Sequence, residues 1–331
     1  MAETARVDLL DRRLLAALDR NARSSVSALA RAVGEGRDRV EYRYRRLVEL
    51  GVVRGTSAVI NPYRLGLTVY KTYLKLENRR TRIVEFLRFL QAHPRVYWIA
   101  ECDGRWDFIF SVFATSPFEF YRVQNEVLSN FGDLVLSFDV FTLVNLWLYR
   151  RSYLGAASDE GVLIGGMPEF NRLGDLEYQL LKALAEDARS ATTHLAELLS
   201  TTPTIISNRI GKLEQGGIIG GYRVDLDLAK LGMTMFKAQL YLRQYRDEDV
   251  QKLRSFCAHH PRITYFIEQL GDCKLEVELE VASYDEYVSI IRELRSRHCG
   301  LIRNIETNLI AHEEYHWSPR GIRLYAENHA T

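Results

Sequence analysis

The sequence is poor in cysteine and has no long apolar run. Its four cysteines (Cys102, Cys257, Cys273 and Cys299) stand far apart and form no C-x-x-C pair, which argues against a disulfide framework and a thiolate zinc site. No uncharged apolar run reaches the ~20 residues that cross a bilayer, and the charged side chains among the first residues do not fit a signal peptide. We therefore expect a cytoplasmic protein with reduced thiols and no contact with membranes.

A large excess of charge of either sign is also missing. Lys and Arg number 44 and Asp and Glu number 43, which gives a formal net charge of +1. A nearly neutral chain has no overall field that attracts nucleic acid or an anionic membrane, so any basic surface has to be local. The 47% hydrophobic and 26% charged content is that of a globular protein. The length of 331 residues suffices for two domains or several small ones.

The chain contains an internal duplication. Residues 10–66 align without a gap on residues 176–232, at an offset of 166, with 16 of 57 pairs identical. At an offset of 167 the match continues, with His-Pro-Arg at 93–95 and again at 260–262. One register kept over this length indicates two copies of one unit. The glycine-containing segment 155–172 is the predicted linker between them.

Each copy begins with a pattern typical of three short helices. Apolar residues recur at helical spacing in residues 10–18, Ser25 is a predicted cap for the second helix, and Gly51 ends the third. In the second copy, Thr202 is the predicted cap of the third helix. Residues 52–60 then predict a hairpin, or wing. The pattern predicts winged helix-turn-helix heads, named head one and head two, over residues 1–62 and 173–226.

Each head is followed by a body in which strand and helix periods alternate. The order βαββαβ is predicted twice, and in residues 275–281 Leu or Val alternates strictly with Glu. Such alternation is typical of a strand with one buried and one solvated face, and the order is that of a ferredoxin-like sandwich. The predicted fold class is therefore α+β, with two copies of a winged helix-turn-helix head followed by a ferredoxin-like module. The modules cover residues 63–154 and 227–317, and residues 318–331 form a tail.

Three motifs carry a resemblance to a known family. They are D-x-x-L-L-x-x-L at 11–18, A-R-S at 22–24 and R-x-x-R-L-x-x-x-G-V at 43–52. With them the chain resembles the leucine-responsive regulator/AsnC (Lrp/AsnC) family of transcription factors, and head two looks closer to its recognition-helix pattern. The resemblance implies double-stranded DNA as partner and an amino acid or similar small molecule as effector at paired sensing modules. It also implies a homodimer or higher homo-oligomer, without a cofactor.

The third helix of each head supplies the predicted DNA-binding residues. Residues 1–62 carry 12 basic and 8 acidic side chains, and residues 173–226 carry 5 and 7. Because phosphate contacts supply most of the affinity that does not depend on sequence, we expect head one to contribute most of the binding. Its predicted residues are Arg37, Arg39, Arg43, Arg45 and Arg46, and those of head two are Thr204, Ser207, Asn208, Arg209 and Lys212.

The predicted effector site follows from the resemblance. The family's loop signature G-x-x-D appears at residues 104–107, and in the second copy Lys274 stands where the first has Asp107. The second loop therefore has inverted charge and is expected to bind a different ligand or none. The predicted ligand-binding residues are Asp103, Gly104, Arg105, Asp107, Gly271 and Asp272.

Other sequence features bear on functions other than DNA binding. Residues 312–316 fit the zinc-protease signature H-E-x-x-H, but the repeat places them just beyond the last strand of the second module. Even in a strand the two histidines would be ~13 Å apart, too far to share one zinc, so no metal is predicted. Siroheme decarboxylases share the fold with the family and use histidines of the module, whereas the predicted strands 96–103 and 108–114 contain none. That enzyme activity stays an alternative, as does a ligand-responsive assembly protein without DNA binding, which the acidic balance of head two favours. We predict no catalytic residue.

Overall fold

The computed structural model describes residues 4–155, 157–169 and 171–315. In the first copy three helices and a strand precede a body of four strands and two helices. They are α1 (Leu9–Arg20), α2 (Val26–Val33), α3 (Arg37–Glu49), β1 (Val53–Ile60), β2 (Thr68–Leu76), α4 (Arg80–Ala92), β3 (Val96–Gly104), β4 (Phe108–Ala114), α5 (Pro117–Phe131) and β5 (Val135–Leu148). A short strand, β6 (Val162–Gly165), lies inside the predicted linker and pairs with β5.

The second copy repeats this order. Its elements are α6 (Asp175–Glu186), α7 (Thr192–Leu198), α8 (Pro203–Gln215), β7 (Ile219–Leu226), β8 (Thr234–Leu242), α9 (Asp247–His259), β9 (Ile263–Leu270), β10 (Leu275–Val281), α10 (Tyr284–Arg297) and β11 (Ile302–Tyr315). The mixed α and β content is as predicted. The predicted tail, 318–331, lies outside the described residues. Among the helices that are described, none is long and apolar enough to cross a membrane.

Local signals explain where the head helices begin and end. The side chains of Ser25 and Thr202 accept hydrogen bonds from the first turns of α2 and α8, as predicted. Asp8 forms a capping box with Asp11 at the start of α1. Gly51 follows α3 with a φ of +69°, a conformation that favours glycine.

The predicted wing hairpin is wrong in both heads. Residues 53–60 form one continuous strand, β1, which pairs antiparallel with β7 of the other head. Helix α6 packs on β1 and helix α1 packs on β7, so each head supplies a strand to the other. Most buried residues of the two strands lie beneath these helices, and the strands satisfy each other's backbone hydrogen bonds. The two heads consequently share one hydrophobic core.

The two bodies form a closed ring of eight strands. The pairing order is β2-β4-β3-β11-β8-β10-β9-β5, and β5 pairs again with β2. The bodies meet where β3 pairs with β11 and where β5 pairs with β9. Helices α4 and α5 cover the outside of the first body, and α9 and α10 cover that of the second. The paired sheets therefore enclose an interior, here called the barrel interior, between them.

The predicted solvated face of residues 275–281 is wrong. Glu276, Glu278 and Glu280 are only 0%, 5% and 1% exposed. Alternation along β10 is present, with Leu275, Val277, Leu279 and Val281 under the helices. The glutamates point the other way, into the barrel interior. Closure of the ring covers this second face, which a single strand cannot indicate.

Candidate nucleic-acid interface

Helix α3 presents a row of exposed arginines on its outer side. Arg37, Arg39 and Arg45 are exposed, and Tyr42 beside them is 64% exposed. Nη1 of Arg39 lies 2.9 Å from Oε2 of Glu35, and Nη2 of Arg45 lies 2.5 Å from Oε1 of Glu41. Exposed pairs of this kind contribute about 0–1 kcal/mol. The guanidinium groups are therefore free to exchange their carboxylate partners for phosphate oxygens.

The start of α3 also borders an open groove. Gly36 is its N-cap residue and provides no side-chain hydrogen bond. The groove, about 540 Å³ in volume, lies between α2 and α3 and is lined in part by Arg31, Glu35 and Arg37. Free backbone N–H groups and two arginines at a helix start suit an anionic backbone.

Arg43 and Arg46, also predicted to bind DNA, turn toward helix α1 instead. Nη1 of Arg43 lies 2.7 Å from Oδ2 of Asp8 and 3.2 Å from Oδ1 of Asp11. Nη1 of Arg46 lies 3.0 Å from Oδ2 of the fully buried Asp11. The N–H of Asp11 and the guanidinium of Arg43 hold the pKa of Asp8 below its ordinary value. These two arginines fix the orientation of α3.

Helix α8 repeats this anchor and carries a different outer surface. Nη1 of Arg209 lies 2.5 Å from Oε1 of Glu177, which occupies the repeat position of Asp11. Four predicted residues are exposed, and the list contains no arginine: Thr204, Ser207, Asn208 and Lys212. Head one therefore presents arginines, and head two presents amide, hydroxyl and ammonium groups.

Two arginines that the sequence analysis missed join the heads. Nη1 of Arg23 donates to the carbonyl oxygens of Ala188 and Ser190, at 2.5 and 3.1 Å. Nη1 of Arg189 donates to those of Ala22 and Ser24, at 2.6 and 2.8 Å. We name this reciprocal pair the arginine clasp. The signal in the sequence was the A-R-S motif, identical in the two copies.

The predicted effector loops lie where each body meets the other. Gly104 has a φ of +142°, and a Cβ there would lie 2.7 Å from the carbonyl oxygen of Thr307. Gly271 has a φ of +141°, and a Cβ there would lie 2.4 Å from the ring of Phe141. Both glycines therefore serve close contact between the bodies.

The charged residues of these loops differ in their surroundings. Arg105 binds Glu306, donates to the hydroxyl of Tyr241 at 3.1 Å and lies 3.5 Å from Asp139. Asp107 accepts from Nζ of Lys75 at 2.7 Å and from the N–H of Leu76 at 2.8 Å. Asp103 and Asp272 are exposed.

The barrel interior holds a buried group of two lysines and two glutamates that the sequence analysis missed. Nζ of Lys71 lies 2.5 Å from Oε2 of Glu276, so this ion pair joins the two bodies. Nζ of Lys237 binds Glu278 and lies 3.6 Å from Oε2 of Glu276. Burial raises the pKa of Glu276, but the ammonium groups of Lys71 and Lys237 outweigh it and lower that pKa to about 2. The signal was a lysine at the same position of both copies.

One histidine stabilises a helix end. Nδ1 of His259, at the end of α9, lies 2.8 Å from the carbonyl oxygen of Ser255. His312 lies on strand β11 rather than beyond it, because this strand continues to Tyr315, and His316 lies outside the described residues. Among the residues that are described, no group of three His, Cys, Asp or Glu is arranged to hold a metal ion.

The two His-Pro-Arg motifs predict a loss of stability in mild acid. Burial lowers the pKa of His93 and of His260, and Nδ1 of each accepts the N–H of the arginine two residues on, at 3.2 Å. The unfolded chain therefore binds protons first, near the ordinary pKa of ~6.5. We expect the free energy of unfolding to be greatest above this pH and to fall as the pH drops through it.

Urea unfolding at pH 7.5 and pH 5.5 measures this loss. The double variant His93→Asn, His260→Asn keeps an acceptor at the position of Nδ1 but does not titrate, so its loss should be smaller. An equal loss in wild type and variant would assign the acid sensitivity to other groups.

Helices α1 to α3, with the exposed outer side of α3, define a helix-turn-helix protein. The model of the AsnC-type helix-turn-helix domain matches residues 7–48, which lie in head one. The chain is 33% identical over 126 residues to the proline dehydrogenase transcriptional activator of Rhodobacter capsulatus, covering 37% of this chain and 81% of the relative. It is 37% identical over 123 residues to the regulator AldR of Mycolicibacterium smegmatis, covering 36% of this chain and 72% of that relative. The chain belongs to the Lrp/AsnC family.

The chain also resembles a solved structure along its whole length. The match to the siroheme decarboxylase NirDL covers 97% of this chain and 98% of the NirDL chain, with a TM-score of 0.64 and 13% sequence identity. At this identity the likeness concerns the fold. This chain thus has its whole-length fold in common with an enzyme.

Proposed function

We propose that this chain is a sequence-specific DNA-binding transcriptional regulator whose two heads contact one duplex. The observation that carries the proposal is the pair of exposed helices α3 and α8, each anchored from behind by an arginine–carboxylate pair. The named relatives, an activator and a regulator, support it. In this proposal residues 1–62 and 173–226 are the two helix-turn-helix heads. Residues 63–154 and 227–317 are ferredoxin-like modules that pair within the chain.

The exposed residues of the two heads have different roles in this proposal. Arg37, Arg39 and Arg45 bind phosphates or the O6 and N7 atoms of guanine. Asn208 suits the N6 and N7 atoms of adenine, and Lys212 suits a phosphate. The hydroxyl groups of Thr204 and Ser207 can donate hydrogen bonds to a base or to a phosphate. Arg43, Arg46 and Arg209 hold the helices in place rather than contact DNA.

The effector remains part of the proposal. Arg105 is the one cation among the predicted ligand-binding residues, and Glu306 and Asp139 accompany it. A ligand carboxylate would have to replace them. The alternative is control by assembly, since the modules already pair within one chain.

The salt dependence of DNA binding tests the proposal. Wild type should select duplexes from a random 40-base-pair library, and its log K should fall linearly with log salt. Arg37→Gln with Arg45→Gln removes two phosphate or base contacts, so the slope should become less negative by about two. Gel shifts over a salt series measure it.

Arg88→Gln, which removes an exposed arginine from α4 on the barrel, is the matched control and should leave the slope unchanged. If the double variant bound with the wild-type slope, the assigned face of α3 would be wrong. If wild type selected no duplex, the regulatory function would fail.

The whole-length likeness to NirDL favours an enzyme as second candidate. Against it stands the filling of the barrel interior, where Tyr73, Phe113, Phe141 and Lys237 are each at most 2% exposed. The histidines that the structure describes lie outside this interior. Incubation with siroheme under reducing conditions, followed by absorption spectra and measurement of released carbon dioxide, tests this candidate. Release of carbon dioxide would replace the regulatory proposal.

A further inference from the structure

We propose that the arginine clasp fixes the distance and angle between α3 and α8, so that one chain accepts a single spacing of two DNA half-sites. This inference rests on the proposed DNA-binding function. It assigns Arg23 and Arg189, which lie on neither recognition helix, as positioning residues for the choice of operator.

The clasp binds the same turn in each head. Arg23 and Arg189 occupy equivalent positions, in the turn between the first and second helices. Each guanidinium donates to two carbonyl oxygens of the other head's turn. The backbone repeats the reciprocity, because the N–H of Ala22 donates to Tyr222 at 3.1 Å and that of Ala188 donates to Thr56 at 3.0 Å. A hinge between the heads would have to break all of these bonds together.

Each clasp arginine also reaches the recognition helix of the opposite head. The guanidinium of Arg189 lies 5.0 Å from the ring centroid of Tyr44, a residue of α3. That of Arg23 lies 5.9 Å from the ring centroid of Tyr222. The hydroxyl of Tyr222 in turn donates to Glu214 of α8, at 2.7 Å. Helix α3 is thus linked to the other head through the contact of Tyr44 with Arg189. Helix α8 is linked to it through two successive contacts, from Glu214 to Tyr222 and from Tyr222 to Arg23.

Because DNA is helical, heads held at a fixed distance and angle should select one spacing between two half-sites. Successive major-groove faces recur about every 10–10.5 base pairs, and each inserted base pair rotates a half-site by roughly 34–36° about the helix axis. Heads on a flexible joint could follow a displaced half-site. Heads fixed to each other lose the contacts of one of them. Since the exposed residues of the two heads differ, the two half-sites should also differ in sequence.

The experiment compares one selected duplex with versions that carry inserted base pairs. Duplexes are selected from a random 40-base-pair library with the wild-type chain, and the two half-sites are located by footprinting. Affinity is then measured with zero, two and five base pairs inserted between them. Wild type should lose at least about tenfold in affinity at either insertion, as expected for the loss of one head's base contacts.

The double variant Arg23→Gln, Arg189→Gln should bind the parent duplex more weakly but lose only about threefold on insertion, because the paired strands β1 and β7 then hold the angle between the heads less strictly. Tyr44→Leu removes only the ring beneath Arg189 and serves if the double variant fails to fold. Arg20→Gln, an exposed arginine of α1, is the matched control and should keep the wild-type ratio.

The ratio of affinities for parent and inserted duplexes decides the outcome, because a loss of folded protein alone lowers both affinities equally. Wild type that tolerates both insertions would overturn the inference, and so would folded clasp variants with the wild-type ratio. Failure of wild type to select any duplex would instead overturn the proposed function.

Discussion

Replacing Lys71 by methionine should lower the free energy of unfolding by about 3–5 kcal/mol, the usual effect of removing one partner from a buried ion pair. Lys71 is 3% exposed, and its partner Glu276 is fully buried. Of the four charges in the group, Lys71, Lys237, Glu276 and Glu278, the variant leaves one positive and two negative. Urea unfolding followed by circular dichroism at pH 7.5 measures the change.

A second substitution should cost less in this variant than in wild type. With Lys71→Met and Glu276→Gln together, Lys237 and Glu278 remain as one balanced pair, so we expect the double variant to be less destabilised than the sum of the two single variants. The coupling should be on the order of 1–3 kcal/mol. Lys75→Met removes a half-exposed lysine of the same strand and should cost no more than about 1 kcal/mol. If Lys71→Met were as mild as this control, the barrel interior would be hydrated rather than dry.

Replacing Arg151 by methionine should also lower the free energy of unfolding by about 3–5 kcal/mol. Its Nη1 lies 2.8 Å from Asp19 of α1, and its Nε lies 2.9 Å from Glu280 of β10. Burial raises the pKa of Asp19, but Arg151 and Arg223 lower it more. The variant leaves both carboxylates buried with Arg223 alone beside Asp19, at 3.7 Å.

Because Arg151 joins head one to the barrel, its loss should loosen the heads before the barrel. Hydrogen exchange should therefore rise more in α1 than in β10, together with the drop in the urea midpoint. Arg54→Met is the control, because it breaks an exposed pair with Asp225 and should cost no more than about 1 kcal/mol. Uniform exchange across heads and barrel would contradict a joint at Arg151.

The elements could be predicted because their signals are local. The strands expected over 108–114 and 275–281 have these bounds in the structure. Alternation of apolar residues and capping side chains are properties of neighbouring residues. The repeat strengthened each prediction by supplying it twice.

The wrong predictions concern which part of the molecule the face of a strand or helix contacts. Alternation in residues 275–281 shows that one face of the strand is polar, but it does not show whether water or Lys71 of a strand some 200 residues away meets that face. Likewise, the helical pattern of α3 does not show that Arg43 turns toward Asp8 while Arg45 faces outward. The predicted wing hairpin is wrong for the same reason, because the strand that pairs with β1 lies in the other half of the chain.

Closure of the eight-strand ring limits how this chain associates with others. Every strand of the ring has a neighbour on both sides, so the unpaired strand edges among the described residues belong to the short strand β6 and to the two-stranded sheet of β1 and β7 in the heads. Unpaired edges are the usual templates for joining sheets between molecules. Contact with a second copy is therefore left to the outer helices and the heads.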